Sequence, residues 1–257
     1  MRPTIKFSIV TASFNADKYI RRAIESVVSQ SYTHFEFIII DGQSNDNTVD
    51  IIREYGDKIT YWVSEPDKGI YDAWNKGIAK ATGDWIMFLG CDDILLPDAL
   101  AKYADFISSS ATEADYVSSK LQMVDAALNP VRTRGWEWEW PTFLNEMTVA
   151  HPGSLHSRKL FKTYGQYDTT YRIVGDYELL LRPKGTLKAA FMNAVTVLMS
   201  EGGASDSFSA IREHCRACLH TGGQSLLRAY SNLLLVASKF YTKKMLRQVG
   251  LNVYLKK

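Results

Sequence analysis

The first 110 residues alternate short apolar runs with amphipathic stretches, and this alternation restricts the fold more than any other feature. The apolar runs, which we interpret as strands, lie at residues 7–12, 35–40, 59–63 and 85–89. The run at 35–40 is almost continuously apolar, as expected of a strand buried on both faces. Repeated β-α-β units with short connections predict an α/β fold with a mostly parallel sheet flanked by helices.

After residue 110 the regular alternation stops. A strand is predicted at 116–124, a short helix from Gly175 to Leu181 that ends before Pro183, and helix from Phe208 to near the end. The sequence therefore predicts one domain over 1–205, with parts 1–110 and 111–205. A helical C-terminal extension over 206–257 follows it.

Composition excludes several classes of protein. Apolar residues make up 46% of the chain and the formal net charge is only +2, which fits a globular core and does not favour a nucleic-acid partner. The three cysteines lack framework spacing, which favours a reducing compartment. Cys215 and Cys218 are interpreted as core-facing residues of a helix, with a zinc or redox site as the alternative. No secretion signal and no apolar run of about 18 residues is found, so we expect a cytoplasmic protein.

Polar residues close each of the four predicted strands. They are Thr11, Ala12, Ser13 and Asn15 after the first strand, Asp41 after the second, Asp67, Lys68 and Gly69 after the third, and Asp92 and Asp93 after the fourth. Because ligands bind beyond the carboxyl ends of parallel strands, these residues are expected to share one rim. Four carboxylates on one rim repel one another unless a cation, a lysine or a ligand donor lies between them.

The Asp92-Asp93 pair suits a divalent cation. Mg²⁺ and Mn²⁺ take oxygen ligands, usually one or two carboxylates completed by water and substrate phosphates. The alternative is that the two aspartates cap the helix that begins near Pro97. Asp41-Gly42 and Asp67-Gly69 likewise fit either plain turns or contacts to a ligand, with Lys68 beside phosphates.

The ordered set of motifs resembles family 2 glycosyltransferases, in particular bacterial enzymes that build exopolysaccharides and cell-surface glycans. The matching segments are VTASFN at 10–15, IDGQSNDNT at 40–48, SEPDKGIYDAWNKG at 64–77, ATGDW at 81–85, CDD at 91–93, and, more weakly, YGQYD at 164–168 and GDYELLLR at 175–182. The resemblance covers roughly the first hundred residues strongly.

This resemblance implies a GT-A (Rossmann-like) fold, a nucleotide-sugar half over 1–110, an acceptor half over 111–205, and inversion at the anomeric carbon. The donor site it implies consists of Thr11, Ala12, Ser13, Asn15, Asp41, Asp67, Lys68, Gly69, Asn75 and Asp92. Asp93 would bind Mn²⁺ or Mg²⁺. The family's metal motif is often Asp-x-Asp, and Cys91 stands at its first place here.

The resemblance also implies that Asp176 is the catalytic base. A base must lie within hydrogen-bond reach of the acceptor hydroxyl, opposite the leaving group. The alternative is that Asp176 is an N-cap of the helix that follows, and the two roles are compatible because the helix dipole keeps the carboxylate ionised. Glu178 is the second candidate for the base.

Further acceptor or phosphate contacts are proposed for His151 and Trp138. His151 would contact donor phosphates or the acceptor, or be structural. The alternating Trp136, Trp138 and Trp140 would stack on a sugar ring, or pack in a half-buried strand. Residues 202–205 resemble the family's late glycine turn, a loop over the active site.

The end of the chain is basic and free of acidic residues from Leu226 onward. Such a segment either lies on an anionic membrane, at the inner face of the cell membrane, or packs on the domain as a surface helix. A lipid-linked or glycan acceptor would suit the membrane interpretation.

Two alternatives to a transferase stay open. A sugar-nucleotide nucleotidyltransferase would need a Gly-rich basic loop after the first strand, and a non-catalytic binding module would keep the fold alone.

Overall fold

The computed structural model describes residues 4–200 and 207–248, which form one mixed sheet covered by helices on both faces. The strands in chain order are β1 (Phe7–Ser13), β2 (Phe35–Asp41), β3 (Tyr61–Ser64), β4 (Trp85–Gly90), β5 (Ile94–Leu95), β6 (Tyr116–Val124), β7 (Pro130–Arg134), β8 (Leu155–Ser157) and β9 (Ala189–Ser200). Their order across the described sheet is β3-β2-β1-β4-β8-β6-β9-β5, with β7 paired to β6.

The helices lie between these strands and after them. They are α1 (Ile20–Val28), α2 (Thr48–Glu54), α3 (Ile70–Lys80), α4 (Ala99–Ser110), α5 (Trp140–Phe143), α6 (Arg158–Tyr164), α7 (Gly175–Leu181), α8 (Phe208–His220) and α9 (Leu226–Gln248). Of the described helices, none is long and apolar enough to cross a membrane.

The first four strands pair in parallel, as the β-α-β pattern predicts. Ser13 at the end of β1 lies opposite Asp41 at the end of β2, and Ala12 lies opposite Gly90 at the end of β4. The polar residues after these strands therefore reach the same edge of the sheet.

The second half of the sheet is mixed. Strand β8 runs antiparallel to both β4 and β6, so Leu155 lies opposite Met87 on one side and Val117 on the other. Strands β6 and β9 are parallel, whereas β7 and β5 join antiparallel at the margins. The predicted parallel pairing thus holds for β1 to β4 and for the β6–β9 pair, whereas β5, β7 and β8 pair antiparallel.

Two apolar layers cover the sheet. One contains α1, α2 and α4, packed through residues such as Ile24, Ile52 and Tyr103. The other contains α3 and α5 to α7, packed through residues such as Trp74 and Tyr177. Strands buried on both faces explain the continuous apolar run of β2.

The C-terminal helices begin as predicted, at Phe208, and the structure describes them as far as residue 248. Cys215 and Cys218 are buried, and the Cys218 thiol lies 3.3 Å from the hydroxyl oxygen of Tyr177. The pair therefore faces the core, as the helical interpretation expects. Residues 249–257 of the predicted basic tail and the glycine turn at 202–205 lie outside the described residues.

Candidate active site

A cleft of about 250 Å³ opens at the carboxyl ends of the parallel strands. It brings together four of the residues predicted from the sequence: Asp92, Asp93, His151 and Asp176. Helix α3 forms one wall through Tyr71 and Trp74. Of the rim expected from the four strand ends, the Asp92-Asp93 pair after β4 lines this cleft together with residues from the second half of the chain, whereas Asp41, Asp67 and Lys68 do not line it.

Asp92 and Asp93 converge over Gly90. A Cβ atom at Gly90 would lie 2.7 Å from Oδ2 of Asp93 and 2.9 Å from Oδ1 of Asp92, so only glycine fits beneath the two carboxylates. The Gly90 backbone N–H donates to Oδ2 of Asp93 at 3.1 Å. Asp93 is 5% exposed, and burial, followed by the charge of Asp92, raises its pKa to about 7. A nearby cation would relieve this cost of ionisation.

The donor set suits a divalent cation completed by substrate. Within the described ranges no group of three or more His, Cys, Asp and Glu could hold a metal by itself. The two carboxylates over Gly90 nevertheless supply what Mg²⁺ or Mn²⁺ takes from protein when phosphates and water provide the remaining ligands. Burial raises the pKa of the Cys91 thiol to about 12, so a neutral thiol stands at the motif's first place.

Neither aspartate of this pair caps a helix. Helix α4 begins at Ala99 and its N-cap position is Asp98, five residues beyond Asp93. The alternative interpretation of Asp92 and Asp93 as capping residues is therefore wrong.

Asp176 lies in the first turn of α7 and reaches into the same cleft. The hydroxyl oxygen of Tyr71 lies 3.0 Å from Oδ1 of Asp176 and 2.7 Å from the carbonyl oxygen of Ile173. Burial raises the pKa of Asp176 to about 6. The N-cap of α7 is Val174, which makes no side-chain cap hydrogen bond, so the N-cap alternative for Asp176 is also wrong.

The loop before α7 is held by Glu213 of helix α8. Its carboxylate accepts hydrogen bonds from the backbone N–H groups of Arg172, Ile173 and Val174 at 2.9–3.1 Å. Three successive N–H groups around one acceptor form a nest that suits an anion. Glu213, in the first helix after residue 206, thus holds the loop that directly precedes α7 and Asp176.

Asp41 occupies a network of hydroxyl groups rather than an open rim. Its carboxylate accepts hydrogen bonds from the hydroxyls of Ser13, Ser44 and Ser64 at 3.0, 2.6 and 2.7 Å, and from the backbone N–H of Ser44 at 2.9 Å. Asp41 is fully buried. In this arrangement it ties together the loops that follow β1, β2 and β3.

The predicted donor residues after β3 surround two glycines. A Cβ atom at Gly42 would lie 2.5 Å from Oδ2 of Asp67, so that carboxylate rests directly on the glycine. Gly69 has a φ of 115° and a Cβ there would lie 3.0 Å from the guanidinium of Arg172. The Lys68 side chain is exposed, and its backbone N–H donates to Asp72 at 3.0 Å.

The predicted donor residues of β1 separate into two groups. Ala12, Ser13 and Asn15 lie at the strand end, where Asn15 accepts a hydrogen bond from the Asn45 backbone N–H at 3.0 Å. Thr11 is fully buried, and its hydroxyl has no hydrogen-bond partner among the described residues. The structure therefore does not bring the Thr11 side chain to the rim.

Asn75 holds the backbone of the second half rather than facing the cleft. Its amide group donates to the Tyr167 carbonyl oxygen at 2.8 Å and accepts from the Tyr167 N–H at 3.0 Å. Both polar atoms of the side chain are thereby used. The predicted donor contact by Asn75 is replaced by a bridge between α3 and the segment that follows α6.

His151 lines the cleft but is almost entirely buried. Its ring stacks on Trp74 with centroids 5.0 Å apart, and Nε2 lies 3.2 Å from the hydroxyl oxygen of Tyr167. Burial lowers the pKa of His151 to about 3, so the ring is neutral. It presents an uncharged wall to the cleft.

Two of the predicted acceptor residues lie away from the cleft. The Glu178 carboxylate is held by the Arg182 guanidinium and by the Thr221 hydroxyl at 2.8 Å, which corrects its assignment as a second candidate base. Trp138 packs on Phe143 with centroids 5.8 Å apart, so it belongs to the core layer and not to a sugar platform. Residues 135–139 are not a strand.

Sequence reasoning missed several residues of the site. Tyr71 lies in the quoted motif of α3, but nothing in its spacing points to a contact with a residue 105 positions away. Arg172 and Glu213 lie in segments without a motif. Phe14, directly after β1, is 63% exposed, and an apolar residue inside VTASFN was the available signal.

Residues 8–157 match the sequence model of glycosyl transferase family 2, which is more than half of the chain. The protein therefore belongs to glycosyltransferase family 2, as the motifs predicted. It is 30% identical over 210 residues to the PGL/p-HBAD biosynthesis glycosyltransferase of Mycobacterium tuberculosis, covering 78% of this chain and 79% of that relative. It is 33% identical over 121 residues to TuaG of Bacillus subtilis, a protein provisionally assigned to teichuronic acid biosynthesis, covering 46% of this chain and 48% of TuaG.

Solved structures agree on the fold. Residues 1–349 of S. aureus TarS in complex with UDP-GlcNAc superpose with a TM-score of 0.67 at 17% identity, over 89% of this chain and 70% of that one. The chain spans 42% of the longer TarS chain. A Pyrobaculum calidifontis mannosyltransferase, PcManGT, in complex with GDP-Man and Mn²⁺ superposes with a TM-score of 0.63 at 14% identity, over 88% of this chain and 69% of that one. The predicted GT-A fold is confirmed.

Proposed function

We propose that this protein is an inverting glycosyltransferase that moves a sugar from a nucleotide-diphosphate sugar to an acceptor hydroxyl during synthesis of a polysaccharide or cell-surface glycan. The observation that carries the proposal is the cleft shared by the Asp92-Asp93 pair and by Asp176. At one end of the cleft, the carboxylates of Asp92 and Asp93 would bind a cation that also contacts the diphosphate. At the other end, the carboxylate of Asp176 would accept a proton. Residues 1–110 would bind the donor and residues 111–205 the acceptor.

Asp176 is suited to the task of general base. With a pKa near 6 it is mostly ionised at neutral pH, yet basic enough to accept a proton as the acceptor oxygen attacks. The acceptor oxygen forms a bond to the anomeric carbon from the face opposite the diphosphate, and the carbon–oxygen bond to the diphosphate breaks. The hydroxyl proton passes to the carboxylate of Asp176.

The donor end of the cleft would hold the nucleotide and its diphosphate. Asp93, with Asp92 beside it, would hold Mn²⁺ or Mg²⁺, which when bound neutralises charge on the departing diphosphate. Arg172, which lies over Gly69 and lines the cleft, would add a positive charge near the same phosphates. The exposed ring of Phe14 offers a flat surface for the nucleotide base.

A nearby Gly-rich basic loop for a triphosphate is missing after β1, which disfavours the nucleotidyltransferase alternative.

The test is release of nucleotide diphosphate in the presence of donor, acceptor and Mn²⁺. Asp176→Asn and Asp93→Ala should each lower turnover by about 10²-fold or more, the scale of general acid–base catalysis. Circular dichroism should be unchanged. Leu128→Ala, in the β6–β7 connection, is the matched control. Full turnover in Asp176→Asn would remove that residue as base, and no turnover with any donor would leave the binding-module alternative.

We also propose that α9 rests on the inner face of the cell membrane, where a lipid-linked acceptor would be found. Its large apolar residues are exposed, and Leu227 and Leu234 reach 81% and 69% exposure. At about 100° per residue, Leu226, Leu227, Tyr230, Leu234, Tyr241 and Met245 fall within one stripe. Residues 226–257 contain seven Lys and Arg and no Asp or Glu, which suits anionic lipid better than a second copy of the same helix.

Flotation with vesicles tests this membrane contact. The protein should float with vesicles containing phosphatidylglycerol and not with phosphatidylcholine alone, and added salt should weaken binding. The double variant Leu227→Glu, Leu234→Glu should lose flotation, whereas Leu128→Glu should keep it. Equal flotation of the double variant would exclude α9 as the contact.

A further inference from the structure

A second concave surface lies apart from the Asp93 cleft. We define the Trp136 groove as the concavity of about 640 Å³ lined by Lys120, Trp136, Glu137, Glu139, Phe191 and Asn193, with neighbouring residues of α5. None of these residues lines the cleft that holds Asp93 and Asp176.

The groove lies at the same edge of the sheet as the cleft. Leu155 of β8 pairs with Met87 of β4 and with Val117 of β6, so Met87 and Val117 lie at one level. Strands β4 and β6 run in the same direction, since both are antiparallel to β8. Gly90 and Lys120, each three residues further along these strands, therefore lie toward the same edge of the sheet.

The groove and the cleft also share a face of the sheet. Phe88 and Tyr116 belong to the same apolar layer. Because side chains alternate along a strand, Gly90 lies on the face of Phe88, and Lys120 lies on the face of Tyr116. The Trp136 groove therefore lies on the same face and toward the same edge of the sheet as the cleft.

The exposed tryptophan of the groove is fixed in place by its backbone. Trp136 is 44% exposed, and its N–H donates to the Thr148 carbonyl oxygen at 3.1 Å. Gly135 before it has a φ of 106°, and a side chain there would collide with the Ser119 carbonyl oxygen. The backbone that carries Trp136 is therefore constrained on both counts.

The chemistry of the lining matches a saccharide. A sugar ring has an apolar face of C–H groups that packs on an aromatic ring, as Trp136 and Phe191 offer, and a rim of hydroxyls that donate to carboxylates. Glu137, Glu139 and Asn193 provide acceptors around these rings, and Glu146 also lines the groove. Glu137 and Glu139 outnumber Lys120 in this lining, so an anionic sugar would be disfavoured.

We propose that the Trp136 groove binds a neutral sugar residue of the acceptor, next to the residue that receives the transferred sugar. The inference rests on the proposed function, and it makes the acceptor a glycan of at least two residues. A monosaccharide would fill the cleft but leave the groove empty.

The test uses a glycan array of neutral and uronic-acid mono- to hexasaccharides, probed with the full chain and with Trp136→Ala, Trp136→Phe and Leu128→Ala. The protein should bind neutral saccharides of two or more residues. Trp136→Ala should weaken that binding about tenfold, equivalent to ~1.4 kcal/mol. Trp136→Phe, which keeps an aromatic face, should retain most of it, and Leu128→Ala should bind as the unaltered chain does.

Three results would overturn the proposal: no binding to any neutral saccharide, equal binding of monosaccharides, or unchanged binding by Trp136→Ala. Thermal shifts by sugar nucleotides, recorded on the same samples, separate this outcome from failure of the proposed function. If sugar nucleotides still raise the melting temperature while the Trp136 variants leave saccharide binding unchanged, the groove assignment fails and the transferase assignment stands. If no donor shifts any sample, the transferase assignment itself fails.

Discussion

Asp93 and Asp176 line one cleft, and burial raises the pKa of both, but their neighbours differ. Asp93 lies beside a second carboxylate over a glycine, which favours a cation. Asp176 lies beside a tyrosine hydroxyl, and the proposed function assigns it the acceptor proton. Paired acidic groups in distinct settings are a common basis for separate roles in one reaction.

The pH dependence of kcat/KM should follow the ionisation of Asp176. The base works only when ionised, and its pKa lies near 6, so activity should be constant above that pH and fall below it. In the acid limb the loss should approach about tenfold per pH unit. The measurement is initial rate against pH at saturating Mn²⁺. An acid limb near pH 4, the ordinary range of an aspartate, would contradict Asp176 as base.

Tyr71→Phe should lower kcat more than it changes KM for the donor. The substitution removes the hydroxyl that contacts Oδ1 of Asp176 but keeps the ring packed on Gly175. Loss of a hydrogen bond to a charged group is worth ~1.5–3 kcal/mol, or roughly 10- to 100-fold in kcat. Because the Tyr71 hydrogen bond lowers the pKa of Asp176, the acid limb should also move to higher pH. An unmoved limb would show that Tyr71 is only a packing residue.

At the scale of elements, α8 supports the loop before α7, which Tyr71 of α3 also contacts through the Ile173 carbonyl oxygen. Glu213 accepts hydrogen bonds from three successive N–H groups at the entrance to α7. Charge-assisted bonds of this kind are stronger than neutral ones. Helix α8 therefore helps to hold the loop that precedes Asp176, the residue proposed as base.

Glu213→Ala should therefore lower kcat by tenfold or more while donor binding is retained. The loop that carries Arg172 and precedes Asp176 would lose its acceptor, because alanine offers none. Glu213→Gln, which keeps one acceptor oxygen, should recover part of the activity. The charge of Glu213 raises the pKa of Asp176, so the Gln variant should move the acid limb to lower pH. Equal kcat for Ala and the unaltered chain would refute the role of Glu213.

Helices and strands with a clear hydrophobic periodicity could be predicted from the sequence, whereas the tertiary contacts between them could not. The strands from β1 to β4 and the short helix α7 follow directly from apolar runs and from Pro183. The alternation of Trp136, Trp138 and Trp140 favoured a strand, but Pro141 starts a helical turn and the segment before it stays irregular. Asn75 looked like a ligand residue because polar side chains in a motif fit either role, and only the fold brings Tyr167 opposite it.

For the whole molecule, sugar nucleotides should raise the melting temperature by mass action. A donor at one hundred times its Kd adds about 2.7 kcal/mol to the free energy of unfolding. If Asp93 binds Mn²⁺, the metal should further increase the melting temperature of the donor complex. Asp93→Ala should abolish that further increase. A panel of UDP and GDP sugars with and without Mn²⁺ measures this. Equal shifts with and without metal would contradict the metal role of Asp93.

The first half of the chain was predictable because polar residues follow each of its buried strands. Asp41, Asp67, Asp92 and Asp93 stand at such strand ends, and parallel pairing brings these ends to one edge of the sheet without further information. The second half depends on antiparallel pairing through β8 and on contacts across more than a hundred residues, as between Tyr71 and Asp176. Neither leaves a local pattern in the chain.

The amide nest before α7 has a consequence for where substrate charge can settle. Such a ring of N–H groups would attract a phosphate, and in this enzyme the position is already taken by a carboxylate from the chain itself. Under the proposed function, a diphosphate that enters the cleft would find this anion site already filled by Glu213.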